Sequence, residues 1–312
     1  MDDWGLVPED DMFHPPESDD TWWTETVWFA WNVPERNLLG YFYPAFRANI
    51  GVQFGGVLVV DDSATLPWEL PAFDWTWHQP IAQPPDLLDG TFLDRLVLQC
   101  LEPGRVFRFA YEGEDLRFDL TYDALMRPLL SRREPPFDFG AHIDQPGHVT
   151  GTMWLGDDEV AVDCYAMRDR SWGIRRPGRQ PKIGYCYGTV SADDAFLSIS
   201  VDRKGHDGVI RGFLQREGTW SELVGGTRTV ERDAQGRPAL IRVEATDALG
   251  RELVATGRSV SRQVFTAYPH MFCWNSLVHW ELDGVPCWGE DQDVWHPRAW
   301  RKHAQATGVL TT

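Results

Sequence analysis

The chain has 312 residues, of which 43% are hydrophobic and 24% charged, enough for one large all-β unit or roughly two domains with a self-sufficient core. Its formal net charge of −18 opposes contact with a phosphate backbone, so no nucleic acid partner is expected. No run approaches the roughly 20 apolar residues that span a bilayer, and the acidic start over residues 1–16 lacks the pattern of a secretory signal. We therefore expect a cytoplasmic protein without a membrane span.

Short strands and turns dominate the chain in sequence order. Apolar residues 57–60 predict a buried strand, residues 72–86 predict a long proline-rich loop, and residues 93–125 predict three strands. A short helical turn is predicted over residues 121–130, ended by Pro128. Residues 149–173 predict a hairpin that turns at residues 156–158.

The second half continues the strand pattern to residue 295, and the tail is the best helix candidate. This helix opens at Pro297 and stops before Gly308. Strands that recur every 8–12 residues indicate an all-β sandwich or barrel rather than βαβ units. The proline-rich segment 131–147 predicts a boundary between two β domains, residues 1–138 and residues 139–312 with the terminal helix.

Cysteine and tryptophan usage bounds the chemistry. The five cysteines form no CxxC pair and are odd in number, which argues against a zinc ribbon or a disulfide framework and favours buried thiols. The 16 tryptophans can fill a barrel core or line a cavity for a bulky apolar ligand. Glycine-rich phosphate loops, a GxSxG elbow and HExxH are lacking, so neither a nucleotide-type cofactor nor a metal is expected.

One stretch stands out, because the apolar strand from Val160 ends in charged residues: Arg168, Asp169, Arg170, Ser171, Trp172, Gly173. Together with residues 142–175 and the later segment 287–295, this element resembles the carotenoid 1,2-hydratase and AttH-like superfamily. The resemblance implies two lipocalin-like antiparallel β-barrels packed side by side. It also implies chemistry such as water addition to an isoprenoid double bond or cyclisation of a polyene, with Asp169 matching the superfamily's catalytic aspartate.

The two faces of this strand give Asp169 two interpretations. Side chains alternate along a strand, so Arg168, Arg170 and Trp172 share one face and Tyr165, Met167 and Asp169 the other. The mixed second face is typical of a cavity lining, where burial would keep a proton on Asp169 for transfer to an alkene or carbonyl. Alternatively, Asp169 pairs with Arg168, Arg170 or a distant arginine and only fastens the strand end.

Further candidates surround this acid. Tyr165 could orient water, and His279 with Glu281, two residues apart on a strand, form an alternative acid–base pair. Candidate substrate-binding side chains are aromatic or polarisable: Trp154, Met167, Trp172, Tyr187 and Trp274. Candidate structural ion pairs involve Arg168, Arg170, Arg175, Glu290 and Asp291. His142 and His148 lie near the expected domain junction.

The sequence leads to a main hypothesis and an alternative. The main one is a cofactor-independent lyase or isomerase/cyclase that acts on an isoprenoid or polyene-like molecule by proton-initiated hydration, dehydration, isomerisation or cyclisation. The alternative is a non-catalytic carrier or sensor of a lipid or steroid-like ligand, which the same cavity would serve. Both predict a hydrophobic small molecule as partner, and the oligomeric state stays open.

Overall fold

The computed structural model describes residues 4–133, 139–176, 182–203, 205–268 and 270–310, and it is built almost wholly of antiparallel strands. Contacts divide the chain into two compact units, the first Met1–Val60 with Leu70–Arg176 and the second Asp61–Glu69 with Pro177–Thr312. The prediction of an all-β fold with two barrel-type units and a C-terminal helix is confirmed. Within the described ranges, no helix is long and apolar enough to cross a membrane.

The first unit contains an eleven-stranded sheet and three short 3-10 turns, Pro8–Asp11, Pro34–Arg36 and Ala48–Ile50. Its strands are β1 Trp23–Val33, β2 Leu38–Arg47, β3 Val52–Val60, β4 Ala72–Pro80, β5 Asp89–Phe92, β6 Leu96–Glu102, β7 Val106–Glu112, β8 Leu116–Ala124, β9 Leu129–Arg132, β10 Phe139–Leu155 and β11 Asp158–Ile174. The sheet order is β4-β3-β2-β1-β11-β10-β8-β7-β6-β5, and β9 pairs with β10. The long β10–β11 hairpin therefore joins two meanders, β1–β4 and β5–β8.

An aromatic core defines the two faces of this sheet. Phe29 of β1 stacks on Phe109 of β7 with ring centroids 4.8 Å apart, and Tyr122 of β8 lies 5.4 Å from Phe29. Since β1 and β7 are not neighbours in the sheet, these contacts require the sheet to curl around the rings. We call the side of the rings the concave face and the opposite side the outer face.

Two sequence predictions in the first unit are wrong. Residues 121–130 are not a helical turn, because β8 alternates buried and exposed side chains as a strand does and β9 follows it. Residues 72–80 are not a loop, because β4 pairs with β3 along its length. The hairpin predicted over residues 149–173 is correct and extends further, over β10 and β11.

The predicted domain boundary lies between residues 138 and 139, and residues 134–138 are outside the described part of the chain. The strands on either side of that segment, β9 and β10, pair with each other in the first sheet. The change from the first unit to the second comes after Arg176.

The second unit holds the 3-10 turn Pro67–Glu69, nine strands and one helix. They are β12 Lys182–Thr189, β13 Ala195–Arg203, β14 His206–Arg216, β15 Thr219–Arg232, β16 Pro238–Asp247, β17 Glu252–Ser259, β18 Gln263–Tyr268, β19 Met271–Leu282, β20 Val285–Trp295 and α1 Pro297–Ala306. Eight strands close into a barrel because β17 pairs with β19, and β18 adds to β19 outside the ring. Helix α1 starts at Pro297, as predicted, with His296 as its N-cap.

Candidate functional site

The arginines of β11 point to the concave face of the first sheet and bind acids from the N-terminal segment. Arg168 donates from Nη1 to Oδ1 of Asp11 at 2.8 Å and from Nε to Oε1 of Gln145 at 2.8 Å, and its guanidinium lies 4.4 Å from the ring centre of Phe107. Arg170 donates to Oε1 of Glu25 at 2.7 Å. Both ion pairs are fully buried. That their role is purely structural stays a prediction.

This placement changes the interpretation of the strand. The concave face carries Arg168, Arg170 and Trp172, while Asp169 points to the outer face. The expectation that the Asp169 face lines the inside of a barrel is therefore wrong. Neither neighbouring arginine is the ion-pair partner of Asp169, because each is directed to the other side of the sheet and bound to its own acid.

On the outer face, Asp169 forms a cluster with two residues of β10. Asp144 lies directly opposite Asp169, and His142 lies opposite Ser171, two positions along the same face. Nε2 of His142 is 2.6 Å from Oδ2 of Asp169, and Nδ1 of His142 is 3.5 Å from Oδ2 of Asp144. The imidazole therefore sits between two carboxylates.

Burial differs across this Asp144–His142–Asp169 cluster. The side chain of Asp144 is 2% exposed and that of His142 is 11% exposed, while that of Asp169 is 20% exposed. Burial lowers the pKa of His142, but the charges of Asp144 and Asp169 and the hydrogen bond to Asp169 outweigh it, so the pKa is raised from its ordinary value. The two carboxylates thus favour the protonated form of His142, and Asp169 is the member of the cluster that is most open to solvent.

One arginine completes the surroundings of the cluster. Arg175 donates to the hydroxyl of Ser171 and to Oγ1 of Thr26, the latter at 3.3 Å. Its charge opposes the protonation of His142. The expected role of Arg175 in a structural ion pair stays a prediction.

The same three residues could in principle hold a metal ion. One ligand-type atom from each of His142, Asp144 and Asp169 lies within 4.8 Å of the others, so together they could offer three ligands. Two ligands of a tetrahedral zinc ion at about 2.0–2.2 Å lie about 3.3–3.6 Å apart. The 2.6 Å contact between His142 and Asp169 is instead the length of a charge-assisted hydrogen bond, so the geometry favours a shared proton. The expected absence of a metal remains a prediction.

The amino-acid sequence holds a signal that could have located His142 and Asp144 beside Asp169. The observed turn, Gly156 and Asp157, is one residue shorter than the predicted turn over residues 156–158, and it pairs Leu155 with Asp158. From that pairing, an unbroken antiparallel ladder keeps the sum of paired residue numbers constant. Counting back along that ladder places Asp144 opposite Asp169. His142 then shares the face of Asp169, since residues two apart on a strand point the same way.

The remaining candidate residues of the first unit also lie on β10 and β11, some on the face of Asp169 and some away from it. Met167 is fully buried on the Asp169 face, and Tyr165, half-buried on that face, lies 5.4 Å from the ring of His148. Trp172 is on the concave face, where it stacks on His14 at 3.6 Å. Trp154 lies near the β10–β11 turn and donates to Glu159 at 3.2 Å. Trp172 and Trp154 therefore do not join the Asp144–His142–Asp169 cluster.

Candidates in the second unit separate into three groups. Tyr187 donates to Oε1 of Glu290 at 2.6 Å, and both residues are fully buried. His279 and Glu281 lie exposed on the outside of β19, and His279 contacts the ring of Trp288. Trp274 packs against Trp300 of α1, 5.9 Å between ring centres. Their catalytic and binding roles stay predictions.

Asp291 belongs to a buried charge cluster inside the barrel. Arg228 donates from Nη2 to both carboxylate oxygens of Asp291 at 2.7 Å and from Nη1 to Asp293 at 3.2 Å. Arg232 and Lys182 also contact Asp293. The three cations, Lys182, Arg228 and Arg232, border a cavity of about 990 Å³ that residues of α1 line on one side. Each of these three cations has a carboxylate partner, so the arrangement is that of a structural ion-pair network.

Comparisons with known proteins place the chain in a family. The profile of a family described as a domain of unknown function, DUF7064, matches residues 7–291. The chain belongs to this family. A search of curated proteins gives no match.

Two crystal structures share the fold across nearly the whole chain. A protein from Nitrosomonas europaea, provisionally described as AttH, is 16% identical with a TM-score of 0.63, over 93% of this chain and 97% of that one. Kievitone hydratase from Nectria haematococca is 10% identical with a TM-score of 0.57, over 94% of this chain and 93% of that one. The predicted resemblance to AttH-like proteins is confirmed as a likeness of fold.

Proposed function

We propose that the chain is a proton-transfer enzyme of the hydratase–dehydratase type that acts on a hydrophobic small molecule. The observation that carries the proposal is the imidazole of His142, enclosed between two carboxylates and joined by a 2.6 Å contact to the more exposed Asp169. The His142–Asp169 pair can hold one proton within reach of a substrate at Asp169, while His142 and Asp144 stay shielded from solvent. The shared fold with a protein named as a hydratase supports the same class of reaction.

The chemistry divides among the three residues. Asp169 delivers a proton to one carbon of a double bond, water adds to the other carbon, and the proton that the added water loses returns to the pair. His142 supplies the proton to Oδ2 of Asp169 through Nε2, and the charge of Asp144 keeps the imidazole protonated between cycles. Dehydration follows the same steps in reverse. We further propose an isoprenoid or polyene-like substrate, as the sequence resemblance implies, and no cofactor, since the sequence lacks the glycine-rich loops that bind nucleotide-type cofactors.

The test compares two matched variants. Asp169→Asn removes the acid and keeps the size of the side chain, so we expect turnover to fall about 10²- to 10⁴-fold. Asp163→Asn is the control, because Asp163 makes a contact of the same 2.6 Å length with His148 on the same two strands, but its side chain is 80% exposed. This control should keep wild-type turnover.

The assay incubates each purified protein with a hydrophobic metabolite extract and follows products by liquid chromatography and mass spectrometry. A compound whose mass changes by one water, in the wild type and in Asp163→Asn only, supports the proposal. Wild-type turnover by Asp169→Asn would refute it. A compound that copurifies and is returned unchanged by all three proteins would identify the alternative, a carrier.

A further inference from the structure

A single row of side chains crosses six strands on the outer face of the first sheet. The pairings of β10 with β11 and of β11 with β1 place Asp144, Asp169 and Trp28 side by side. The β1–β2 register continues the row to Tyr43, since it pairs Thr26 with Ala45 and Phe29 with Phe42. The next two pairings extend it to Gly56 of β3 and Trp75 of β4.

Ring contacts join the side chains of β2 and β4 in this row, whereas the ring of Trp28 lies 5.4 Å from that of Tyr41, two positions along β2 from Tyr43. Tyr43 and Trp75 stack with an interplanar angle of 16° and ring centres 5.8 Å apart, across the strand between them. Gly56 lies between the two in the row, and β4 runs so close to it that a Cβ there would lie 1.9 Å from the carbonyl oxygen of Asp74. Along β4, Phe73 and Trp77 lie 6.5 Å and 6.1 Å from Trp75. We call Trp28, Tyr43, Trp75, Phe73 and Trp77 the aromatic row.

Exposure rises along the aromatic row away from Asp169. Trp28 is 6% exposed, Tyr43 and Trp75 are half-buried, and Phe73 and Trp77 at the sheet edge are each 41% exposed. The concave core has its own rings and does not use these five. The part of the row that is open to solvent is therefore Phe73, Trp75 and Trp77 with part of Tyr43, and such an exposed aromatic patch is typical of a binding surface.

We infer that the aromatic row is the platform that positions the substrate, and that the substrate carries a flat, conjugated or aromatic segment. This inference rests on the proposed function, because the row ends beside Asp169. Neighbouring strands lie about 4.8 Å apart, so Tyr43 is about 10 Å and Trp75 about 19 Å from Asp169 along the sheet. The platform therefore suits a molecule whose reactive end reaches Asp169 while a planar portion lies on the rings, about 10–19 Å away from that end.

The stacking geometry of aromatic rings explains why the platform would prefer flat molecules to saturated ones. Aromatic faces bind other flat π systems in offset stacks with centres 4.5–7 Å apart, a gain beyond simple burial. A saturated chain buries the same area without that gain. The residues of the aromatic row thus act as specificity-determining residues for flat over saturated molecules.

The experiment measures binding of 1,6-diphenylhexatriene, a flat conjugated probe that fluoresces in apolar surroundings. Trp75→Leu should weaken binding of this probe about 3- to 10-fold, and Trp75→Phe should restore most of it, because the phenyl ring keeps a stacking face. Trp68→Leu is the control, since Trp68 is 79% exposed but lies off β4, on the turn Pro67–Glu69. It should bind the probe as the wild type does.

Two further outcomes separate this inference from the proposed function. Asp169→Asn should lose turnover and keep its affinity for the probe. If Trp75→Leu and Trp77→Leu bind the probe like the wild type, the platform is refuted whatever Asp169 does. If these two variants instead dissociate a dimer in sedimentation without a change in probe binding, the aromatic row is a contact between two copies, and the inference is overturned.

Discussion

Replacing Arg168 by Met should destabilise the first unit strongly. The substitution keeps a long apolar stem but removes a guanidinium that is 2% exposed and leaves Asp11, also 2% exposed, without its ion-pair partner. Breaking a buried pair from one side costs about 3–5 kcal/mol, because the remaining charge stays desolvated. Asp11 would keep its second contact, accepted from the backbone N–H of Gly104 at 2.6 Å, which does not neutralise the charge.

A double-mutant cycle tests the size and the origin of this effect. Asp11→Asn removes the negative charge and can still accept from Gly104, so Arg168→Met combined with Asp11→Asn should be more stable than Arg168→Met alone by about 1–3 kcal/mol. The unfolding free energies come from urea titrations with tryptophan fluorescence. A loss below about 1 kcal/mol in Arg168→Met would contradict the reasoning, because it would mean that Asp11 is not effectively buried.

The remaining predictions concern protonation. Asp144 and Asp169 hold the pKa of His142 above its ordinary value, so the stabilisation from this ion pair is complete below about pH 6.5 and is lost as the pH rises through the raised pKa. The unfolding free energy of the wild type should therefore decrease as the pH rises through this pKa, and that decrease should be missing in His142→Gln. If His142→Gln shows the same pH dependence as the wild type, His142 is not the group responsible. Burial raises the pKa of Cys100 and Cys287 to about 12, so both thiols should resist a thiol reagent at about pH 8 in the folded protein and react in denaturant, as mass spectrometry would show.

The strand pattern can be predicted from the sequence where the cause is local. Alternation correctly separates Arg168 and Arg170 from Asp169, and the turn at residues 156–158 correctly predicts the hairpin. The capping proline likewise locates the start of α1. Each of these features depends on residues close in sequence, so a local pattern is sufficient.

Which face of β11 points inward could not be predicted, because the deciding residues lie far upstream. Arginines look like surface residues until their acids are known, and those acids are Asp11 and Glu25, near the N-terminus. For the same reason, the sequence does not reveal that Asp11 and Glu25 are buried ion-pair partners, and the acidic N-terminal segment looks like a solvated tail. His142 stands out in the sequence only by its position near the expected boundary. The predicted turn over residues 156–158 is one residue too long, and this shifts the register so that Gln145 rather than Asp144 would lie opposite Asp169.

The central position of the β10–β11 hairpin has a consequence for biosynthesis. Strands β1–β4 leave the ribosome well before β11, the strand that β1 needs to satisfy its open edge. Until then Asp11 and Glu25 also lack their counter-ions, so the nascent chain cannot complete its first unit. Assembly of that unit must therefore be late and dominated by long-range pairing, a condition under which chaperones protect unpaired strands from aggregation.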